Sequence, residues 1–362
     1  MKDEFGTIGP WLEYLWEKSG SDLLLVGGSP PRIRVDGELN PIPGEGILDG
    51  QQIDKIVRSL LTERSEETFN ESQDVDFSFS WLDRARLRGS AFTQRGETAL
   101  SLRMIPNRIP SFEELGLPGV ADRIAKLPRG LVLVTGPTGS GKSTTLASII
   151  SRINETRSVH ILTIEDPVEY IHVHNRSAVS QREVGIDSPS FERALRSALR
   201  EDPDVLLVGE MRDIESIQIA LTMAETGHLV FATLHTNDAP QAIDRIIDVF
   251  PAWRQDQTRT QLSASLAVVL AQRLVPRADG GMVAAFESLV ATSPVKNLIR
   301  ENKSNQLQNI MITSRADDMR TLEHSLGLLV KAGTVTYEDA LAVTAHPKEL
   351  AREIGVKESV KS

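Results

Sequence analysis

Cysteine is absent from the sequence. Its absence excludes disulfides, thiolate zinc sites, iron–sulfur clusters and cysteine nucleophiles. An excess of positive charge is also lacking, since 40 Lys and Arg residues stand against 50 Asp and Glu residues, for a formal net charge of −10. Such a balance argues against a protein built to coat nucleic acid or anionic lipid. We therefore expect no direct binding of nucleic acid.

Long apolar runs are missing as well. The longest one, residues 264–271, is short and contains Ser265, whereas a membrane-spanning helix needs about 20 apolar residues. The amino terminus has no basic segment followed by an apolar run, so the sequence predicts neither a signal peptide nor a transmembrane segment. We expect a soluble cytoplasmic protein that reaches a membrane only through a partner.

The length of 362 residues corresponds to about two domains. Strand and helix patterns mix over residues 1–105, which predicts a small α+β domain. Prolines and glycine predict a linker over residues 106–118. In residues 119–362, short and entirely apolar strand patterns alternate with helical ones, as in a parallel sheet covered on both faces. After about residue 255 we expect mostly helices, with one more strand pattern over residues 282–289.

A phosphate-binding motif stands between one of these strands and a helical pattern. The segment Gly136-Pro-Thr-Gly-Ser-Gly-Lys-Ser-Thr144 matches G-x-x-x-x-G-K-S in its required context. Glycines let consecutive N–H groups surround a phosphate, and the helix N-terminus adds positive potential. Lys142 is expected to reach the β- and γ-phosphates of ATP, and Ser143 to bind Mg²⁺. The predicted nucleotide-binding residues are Gly136, Thr138, Gly139, Ser140, Gly141, Lys142, Ser143 and Thr144.

Carboxylates follow two of the other apolar strands. Asp204-Val-Leu-Leu-Val-Gly-Glu210 ends in an acid that can act on Mg²⁺ or on the attacking water. Gly209 occupies the position of the usual aspartate, so Glu210 must carry this role alone. Glu165, Asp166 and Glu169 form a second group, which is costly to assemble unless a cation or water needs it. The predicted Mg²⁺ ligands, partly through water, are Ser143, Glu165, Asp166 and Glu210, and the general base stays open among Glu165, Asp166, Glu169 and Glu210.

Two histidines flank the apolar strand pattern Leu229–Leu234. His228 and His235, at the ends of a strand beside the phosphate motif, could sense the γ-phosphate, although a single histidine in such a place is more often structural. His172 and His174 lie in a predicted loop with no third ligand in view, so zinc is not expected.

These motifs follow one another in a specific order. The phosphate motif, Ile164-Glu-Asp-Pro-Val-Glu169, Val208-Gly-Glu-Met-Arg-Asp213 and Glu225-Thr-Gly-His-Leu-Val-Phe-Ala-Thr-Leu-His-Thr-Asn237 resemble Walker A, the Asp box, Walker B and the His box of the secretion ATPase superfamily. Within it the chain resembles the type IV pilus retraction ATPases, the PilT family. The resemblance implies an α/β fold, with a RecA-like ATPase domain, a smaller N-terminal PAS-like α+β domain and C-terminal helices. It also implies a homo-hexamer that hydrolyses ATP and docks on an inner-membrane platform protein.

The resemblance assigns roles by position. It implies that Glu169 is the general base, that Glu210 is the Walker B glutamate and that His228 and His235 are the His-box pair. Among the arginines, Arg88 and Arg103 match residues that close over nucleotide from the N-terminal domain. Arg200 and Arg245 match arginines that reach a neighbouring subunit's site. For any one of these arginines, a surface charge remains the alternative.

Two features of the sequence distinguish this chain from other members of the superfamily. Extension and type II secretion ATPases carry a four-cysteine zinc module, which a cysteine-free chain cannot form. Pro294-Val-Lys-Asn-Leu-Ile-Arg-Glu301 keeps only the second half of the retraction signature, so an accessory retraction paralogue or secretion ATPase remains an alternative. A RecA-like nucleic-acid motor is disfavoured by the net charge of −10, and a slow nucleotide-dependent assembly factor is a third interpretation.

Overall fold

The computed structural model describes residues 6–35, 37–82, 84–211 and 213–355, so Arg212 of the Walker B segment lies outside the described residues. The chain forms two compact units. Unit 1 comprises Met1–Arg108 and Pro167–Ile171, and unit 2 comprises Ile109–Asp166 and His172–Ser362. No helix among the described residues is both long and apolar enough to cross a membrane.

Unit 1 is built on a six-stranded sheet in the order β3-β2-β1-β6-β5-β4, in which neighbouring strands are antiparallel. Its strands are β1 (Asp22–Leu25), β2 (Arg32–Val35), β3 (Glu38–Pro41), β4 (Asp74–Trp81), β5 (Ala85–Gln94) and β6 (Glu97–Pro106), and its helices are α1 (Gly9–Glu17), α2 (Gly50–Leu60) and α3 (Glu63–Ser72). Residues of β5 alternate between buried and partly exposed, as expected of a sheet with one face on a core. Helices α2 and α3 are separate although only two residues lie between them, because Thr62 caps the N-terminus of α3.

Unit 2 is built on a seven-stranded sheet in the order β13-β12-β7-β11-β10-β8-β9. Its strands are β7 (Gly130–Thr135), β8 (His160–Glu165), β9 (Ala178–Glu183), β10 (Val205–Val208), β11 (Leu229–Leu234), β12 (Leu266–Pro276) and β13 (Met282–Val290). All neighbours are parallel except β12 and β13. Every residue of β7, β10 and β11 is buried, which confirms the α/β fold class predicted from the apolar runs.

Helices cover this sheet and extend beyond it. They are α4 (Phe112–Leu115), α5 (Val120–Lys126), α6 (Lys142–Thr156), α7 (Phe191–Ala198), α8 (Ile214–Glu225), α9 (Ala239–Asp248), α10 (Ala252–Ser265), α11 (Ser293–Arg300), α12 (Leu307–Thr313), α13 (Leu322–Lys331), α14 (Tyr337–Val343) and α15 (Pro347–Ile354). Helix α4 lies inside the stretch 106–118 that we expected to be a linker. A separate apolar core joins α13, α14 and α15 to β12 and β13, with Val275, Ala285 and Leu326 among its members.

The expectation that strands end near residue 255, except for residues 282–289, is wrong. Residues 266–276 form β12, which pairs in parallel with β7 and antiparallel with β13. The apolar run 264–271 is too short for its pattern to distinguish a strand from a buried helix. The run forms a strand because it pairs with β7, which is distant in sequence. Strand β9, at the edge of the sheet, was not predicted either, since its residues are largely polar.

One buried carboxylate joins this sheet to two helices. Glu287 on β13 is 7% exposed and accepts a hydrogen bond of 2.8 Å from the N–H of Ala239, the first residue of α9. The N–H of Leu322, the first residue of α13, also bonds to it. Burial, together with the charges of Asp238 and Glu323, raises the pKa of Glu287 from its ordinary value of 4.5 to about 7, although the two N–H bonds act to lower it.

This raised pKa predicts a pH-dependent stability. The folded chain retains the Glu287 proton between about pH 4.5 and 7 while the unfolded chain releases it, so stability is full below this range and is lost as the pH rises through it. The free energy of unfolding in urea, measured from pH 5 to 8, should fall less steeply with pH in Glu287→Gln than in wild type, by up to about 1.4 kcal/mol per pH unit. Glu301→Gln is the control, because Glu301 is exposed and Lys303 lowers its pKa. Equal slopes in wild type and Glu287→Gln would contradict the assignment.

Candidate functional site

The phosphate loop, residues 136–141, connects the end of β7 to the first residue of α6. Gly136, Gly139 and Gly141 have φ angles of +147°, +76° and +86°, which side-chain-bearing residues rarely adopt. A Cβ atom on Gly136 would also lie 2.4 Å from the carbonyl oxygen of Gln272 on β12. Glycine is therefore required at position 136 by both conformation and space.

Lys142 lies at the start of α6 with its side chain turned back onto the phosphate loop. Its Nζ donates hydrogen bonds to the carbonyl oxygens of Gly136 at 2.8 Å and Pro137 at 3.0 Å, and the residue is only 9% exposed. A phosphate can exchange for these neutral acceptors, since a charged oxygen is the stronger partner of an ammonium group. Ser143 and Thr144 follow in the first turn of the same helix.

His235 connects the phosphate loop to the Walker B glutamate. Its Nε2 is 3.1 Å from Glu210 Oε1, and its Nδ1 is 3.4 Å from the hydroxyl oxygen of Thr138. In the neutral imidazole, Nε2–H donates to the carboxylate while Nδ1 accepts from the threonine. Because β7, β11 and β10 are parallel neighbours, the loops after them meet at one edge of the sheet. The three motifs that carry these residues are therefore joined through side chains.

His228, the other histidine of the predicted pair, lies at the opposite edge of the sheet. Strand β11 pairs with β7 from Leu229 opposite Gly130 to Leu234 opposite Thr135, and six residues of strand span roughly 20 Å. His228 Nδ1 instead lies 3.0 Å from the carbonyl oxygen of Met223, at the end of α8. A strand carries its two ends to opposite edges of the sheet, so His235 lies beside the phosphate loop of this chain and His228 lies away from it.

Glu165 ends β8, next to β10. Its Oε1 accepts hydrogen bonds from Thr163 at 2.7 Å and Gln181 at 3.3 Å. A Cβ atom on Gly209 would lie 3.1 Å from the carbonyl oxygen of Ile164, so a larger residue there would need a small shift of the backbone. Strand β8 is three positions from β7 in the sheet, or about 14 Å. Glu165 and the exposed Asp166 after it can thus act on an ion near Ser143 only through water.

The site fits Mg²⁺ only in combination with a nucleotide. Across the described part of the chain, no three His, Asp or Glu side chains lie together in a way that could hold a metal ion. The Ser143 hydroxyl and the Glu210 carboxylate are oxygen groups of the type that Mg²⁺ prefers, and such ions usually complete their shell with phosphate oxygens and water. Of the four ligands predicted from the sequence, Ser143 and Glu210 thus remain the candidates for direct contact with such an ion.

Unit 1 contains two arginines directly opposite each other. Arg88 on β5 pairs with Arg103 on β6, a like-charge pair that is unfavourable unless an acid or anion offsets it. Arg103 donates to Asp22 at 2.9 Å, whereas Arg88 has no ion pair or side-chain hydrogen bond with any residue that the structure describes. Glu169 belongs to the segment Pro167–Ile171, which is assigned to unit 1.

Arg200 and Arg245 lie on the surface of unit 2. Arg200 follows α7, and Arg245 is in the last turn of α9. Both are exposed, and within residues 6–35, 37–82, 84–211 and 213–355 neither makes a side-chain hydrogen bond or ion pair. Their guanidinium groups are therefore available to another molecule.

The sequence motifs miss three residues around this edge of the sheet. Gln272 donates to the carbonyl oxygen of Ser140 at 2.5 Å, and Thr163 and Gln181 hold Glu165. No motif marks them. Gln272 and Gln181 act from strands that were not predicted, and Thr163 is an isolated polar residue within an apolar strand. Identifying β12 would have been the necessary first step for Gln272.

Comparison with known proteins gives a consistent result. The family model described as type II/IV secretion system protein matches residues 73–317, more than half of the chain. The type IV pilus retraction ATPase PilT of Pseudomonas aeruginosa is 46% identical over 329 residues, covering 91% of this chain and 95% of that protein. The type IV pilus ATPase PilU of Pseudomonas aeruginosa is 43% identical over 332 residues, covering 91% and 87%.

A solved structure is similar over almost the whole chain. It is described as the pilus retraction motor PilT with bound ADP, and it matches with a TM-score of 0.89 and 45% identity. The match covers 97% of this chain and 99% of that one. It confirms the predicted fold class, including the N-terminal domain, the ATPase domain and the C-terminal helices.

The glycines of the phosphate loop provide a matched pair of variants. In Gly136→Ala, the Cβ atom would meet the backbone of β12 at 2.4 Å, so the loop must move. When a group that must be positioned is displaced by about 1 Å, its contribution can fall by about 100-fold. We expect ADP affinity, measured by fluorescence titration, to fall by about that factor. In Gly139→Ala, no atom lies within 4 Å of the new Cβ, so the cost is about 1–2 kcal/mol of backbone strain. Equal affinities in both variants would contradict this description of the loop.

Proposed function

The chain belongs to the PilT family of type II/IV secretion ATPases, and on this premise we propose that it hydrolyses ATP to drive type IV pilus retraction, the pilin disassembly that powers twitching motility. The observation that carries the proposal is the contact of His235 with both Glu210 and Thr138. It links the Walker B carboxylate to the phosphate loop in a chain that is 46% identical to PilT over 329 residues.

Binding of the nucleotide starts from the phosphate loop. Loop N–H groups and the N-terminus of α6 hold the phosphates, and Lys142 exchanges the carbonyls of Gly136 and Pro137 for phosphate oxygens. Ser143 and Glu210 would hold Mg²⁺, which neutralises charge on the phosphates when bound. These steps use groups that already converge at the carboxyl edge of the sheet.

The attacking water needs a carboxylate to orient it and take its proton. Family resemblance assigns this role to Glu169, while the contacts of the described residues connect Glu210 to the loop. His235 Nε2–H orients Glu210, and through Nδ1 it shares the hydroxyl of Thr138. A change at the phosphates thus reaches the carboxylate through one imidazole.

The exposed arginines fit a site completed by a neighbouring subunit. We propose a homo-hexamer in which Arg200 and Arg245 reach the next subunit's phosphates, where an arginine supplied in trans contributes roughly 10³–10⁵ in rate, or about 4–7 kcal/mol. Arg88 and Arg103 of unit 1 would close over the nucleotide, since the uncompensated Arg88 attracts an anion. Alternation between closed and open units would convert hydrolysis into movement.

A chain that carries no membrane-spanning helix in its described part needs a partner to act on a pilus. We propose that the ring docks from the cytoplasm on a polytopic platform protein of the inner membrane. An accessory retraction ATPase is the second candidate function, because the identity to PilU, 43% over 332 residues, is close to that with PilT.

Loss of retraction is the direct test. Deletion of this chain's gene should abolish pilus retraction in its own host, and the wild-type gene should restore it while Lys142→Ala or Glu210→Ala should not. Purified Lys142→Ala and Glu210→Ala should lose at least about 100-fold in ATP turnover, since each removes charge stabilisation or activation at the phosphates. Normal hydrolysis by either variant would overturn the site. Retraction that is retained in the deletion strain would favour the accessory role.

Completion of the site in trans can be tested by mixing two inactive variants. Arg245→Ala retains its phosphate loop, and Lys142→Ala retains its arginine. A mixed ring should therefore contain some complete sites. We expect the mixture to recover ATPase activity that neither variant has alone, and activity to rise with protein concentration as rings assemble. The same mixture with Arg200→Ala tests the second arginine. Mixtures that stay inactive, with a monomer by light scattering, would count against this arrangement.

A further inference from the structure

Gln272 is the first residue of β12 beyond the end of β7. The two strands are parallel, and their register places Ala271 opposite Thr135, so Gln272 lies at the level of Gly136. It is 1% exposed. Both ends of the phosphate loop lie against it. A Cβ atom on Gly136 would be 2.4 Å from the Gln272 carbonyl oxygen, and one on Gly141 would be 3.2 Å from its Nε2.

The side chain of Gln272 fixes one peptide group of this loop. Its Nε2 donates a hydrogen bond of 2.5 Å to the carbonyl oxygen of Ser140. In a planar trans peptide, the carbonyl and the following N–H point in opposite directions. Holding the Ser140 carbonyl toward β12 therefore turns the N–H of Gly141 away from the sheet. Outward N–H groups are what a phosphate-binding loop needs.

Stability alone does not account for glutamine at this position. Among the described residues, Oε1 of Gln272 is buried without a hydrogen-bond donor, and the buried hydroxyls of Ser140 and Thr135 have no partner either. A buried acceptor without a donor is unfavourable, and an apolar side chain of similar volume would avoid that cost. The amide therefore makes the fold less stable than an apolar side chain would, and a role at the phosphate loop would explain why it is present.

We propose that Gln272 is a positioning residue of the nucleotide site, holding the Ser140 carbonyl so that the Gly141 N–H faces a bound phosphate. This inference rests on the proposed function, since it takes the ligand of the loop to be a nucleoside phosphate. It also gives β12 a role at the site in addition to its place in the sheet. Gln272 touches neither the reacting atoms nor the attacking water and acts through the loop.

Two substitutions of Gln272 separate its hydrogen bond from its volume. Gln272→Met keeps a flexible side chain of similar length and has no donor. We expect it to weaken ADP binding about 10–100-fold, in keeping with the loss of an oriented loop, and to raise the KM for ATP more than it lowers kcat. Gln218→Met on α8 is the control, since it makes the same substitution at a partly buried glutamine that bonds to the side chains of Arg254 and Gln261. This variant should bind ADP as wild type does.

Gln272→Glu adds a second measurement, the pH dependence of ADP affinity, which a purely structural role of Gln272 would not change. An ionised carboxylate offers no donor to the Ser140 carbonyl, whereas the protonated acid does, and burial raises the pKa of such a carboxyl group. Its ADP affinity, relative to wild type at each pH, should therefore recover as the pH falls from 8 to 6. This variant also decides the matter if Gln272→Met fails to fold.

The outcomes distinguish this inference from the proposed function. ADP affinity within twofold of wild type in Gln272→Met, or a Gln272→Glu affinity that follows wild type at every pH, would overturn the positioning role. If Lys142→Ala loses ADP binding and turnover in the same experiments, the failure belongs to this inference alone. If Lys142→Ala also binds ADP and hydrolyses ATP normally, the proposed function itself is wrong, and the inference about Gln272 loses its premise.

Discussion

Parallel pairing in the centre of the unit 2 sheet is the constraint on which the site depends. Strands β7, β11, β10 and β8 lie side by side and in register, so the loops that leave their carboxyl ends share one edge. The phosphate loop, His235, Glu210 and Glu165 each follow one of these strands. Because the central strands are buried throughout, a slip in register would expose apolar surface, and the spacing of the site residues is therefore held by the core.

The same geometry separates residues that adjoin in the motifs. His228 and His235 belong to one box in the sequence, yet six residues of strand place them at opposite edges. Glu165 and Glu210 follow the neighbouring strands β8 and β10, and β8 is the farther of the two from the phosphate loop after β7. The arginines divide in a similar way, since Arg88 and Arg103 face each other within unit 1 and Arg200 and Arg245 lie on the surface of unit 2.

Two buried polar side chains, Glu287 and Gln272, connect the sheet of unit 2 to the segments around the site. Glu287 accepts from the first N–H of α9, the helix that begins just after the His235 loop, and Gln272 holds the phosphate loop from the next strand. Both lie on the β12–β13 pair, which also carries the core of the C-terminal helices. The hairpin therefore joins the catalytic edge of the sheet to the C-terminal end of the chain.

Local patterns in the sequence determined the phosphate loop, the apolar strands β7, β8, β10 and β11 and the acids and histidines that follow them, because these signals depend on neighbouring residues. The resemblance carried by their order supplied the family. Only the tertiary structure decided that residues 266–276 are a strand, that Gln272 lies against the phosphate loop, that Gly209 lies close to the backbone of Ile164, and that His228 lies away from that loop. Each of these depends on pairing between segments far apart in the chain, and no window of local sequence contains both partners.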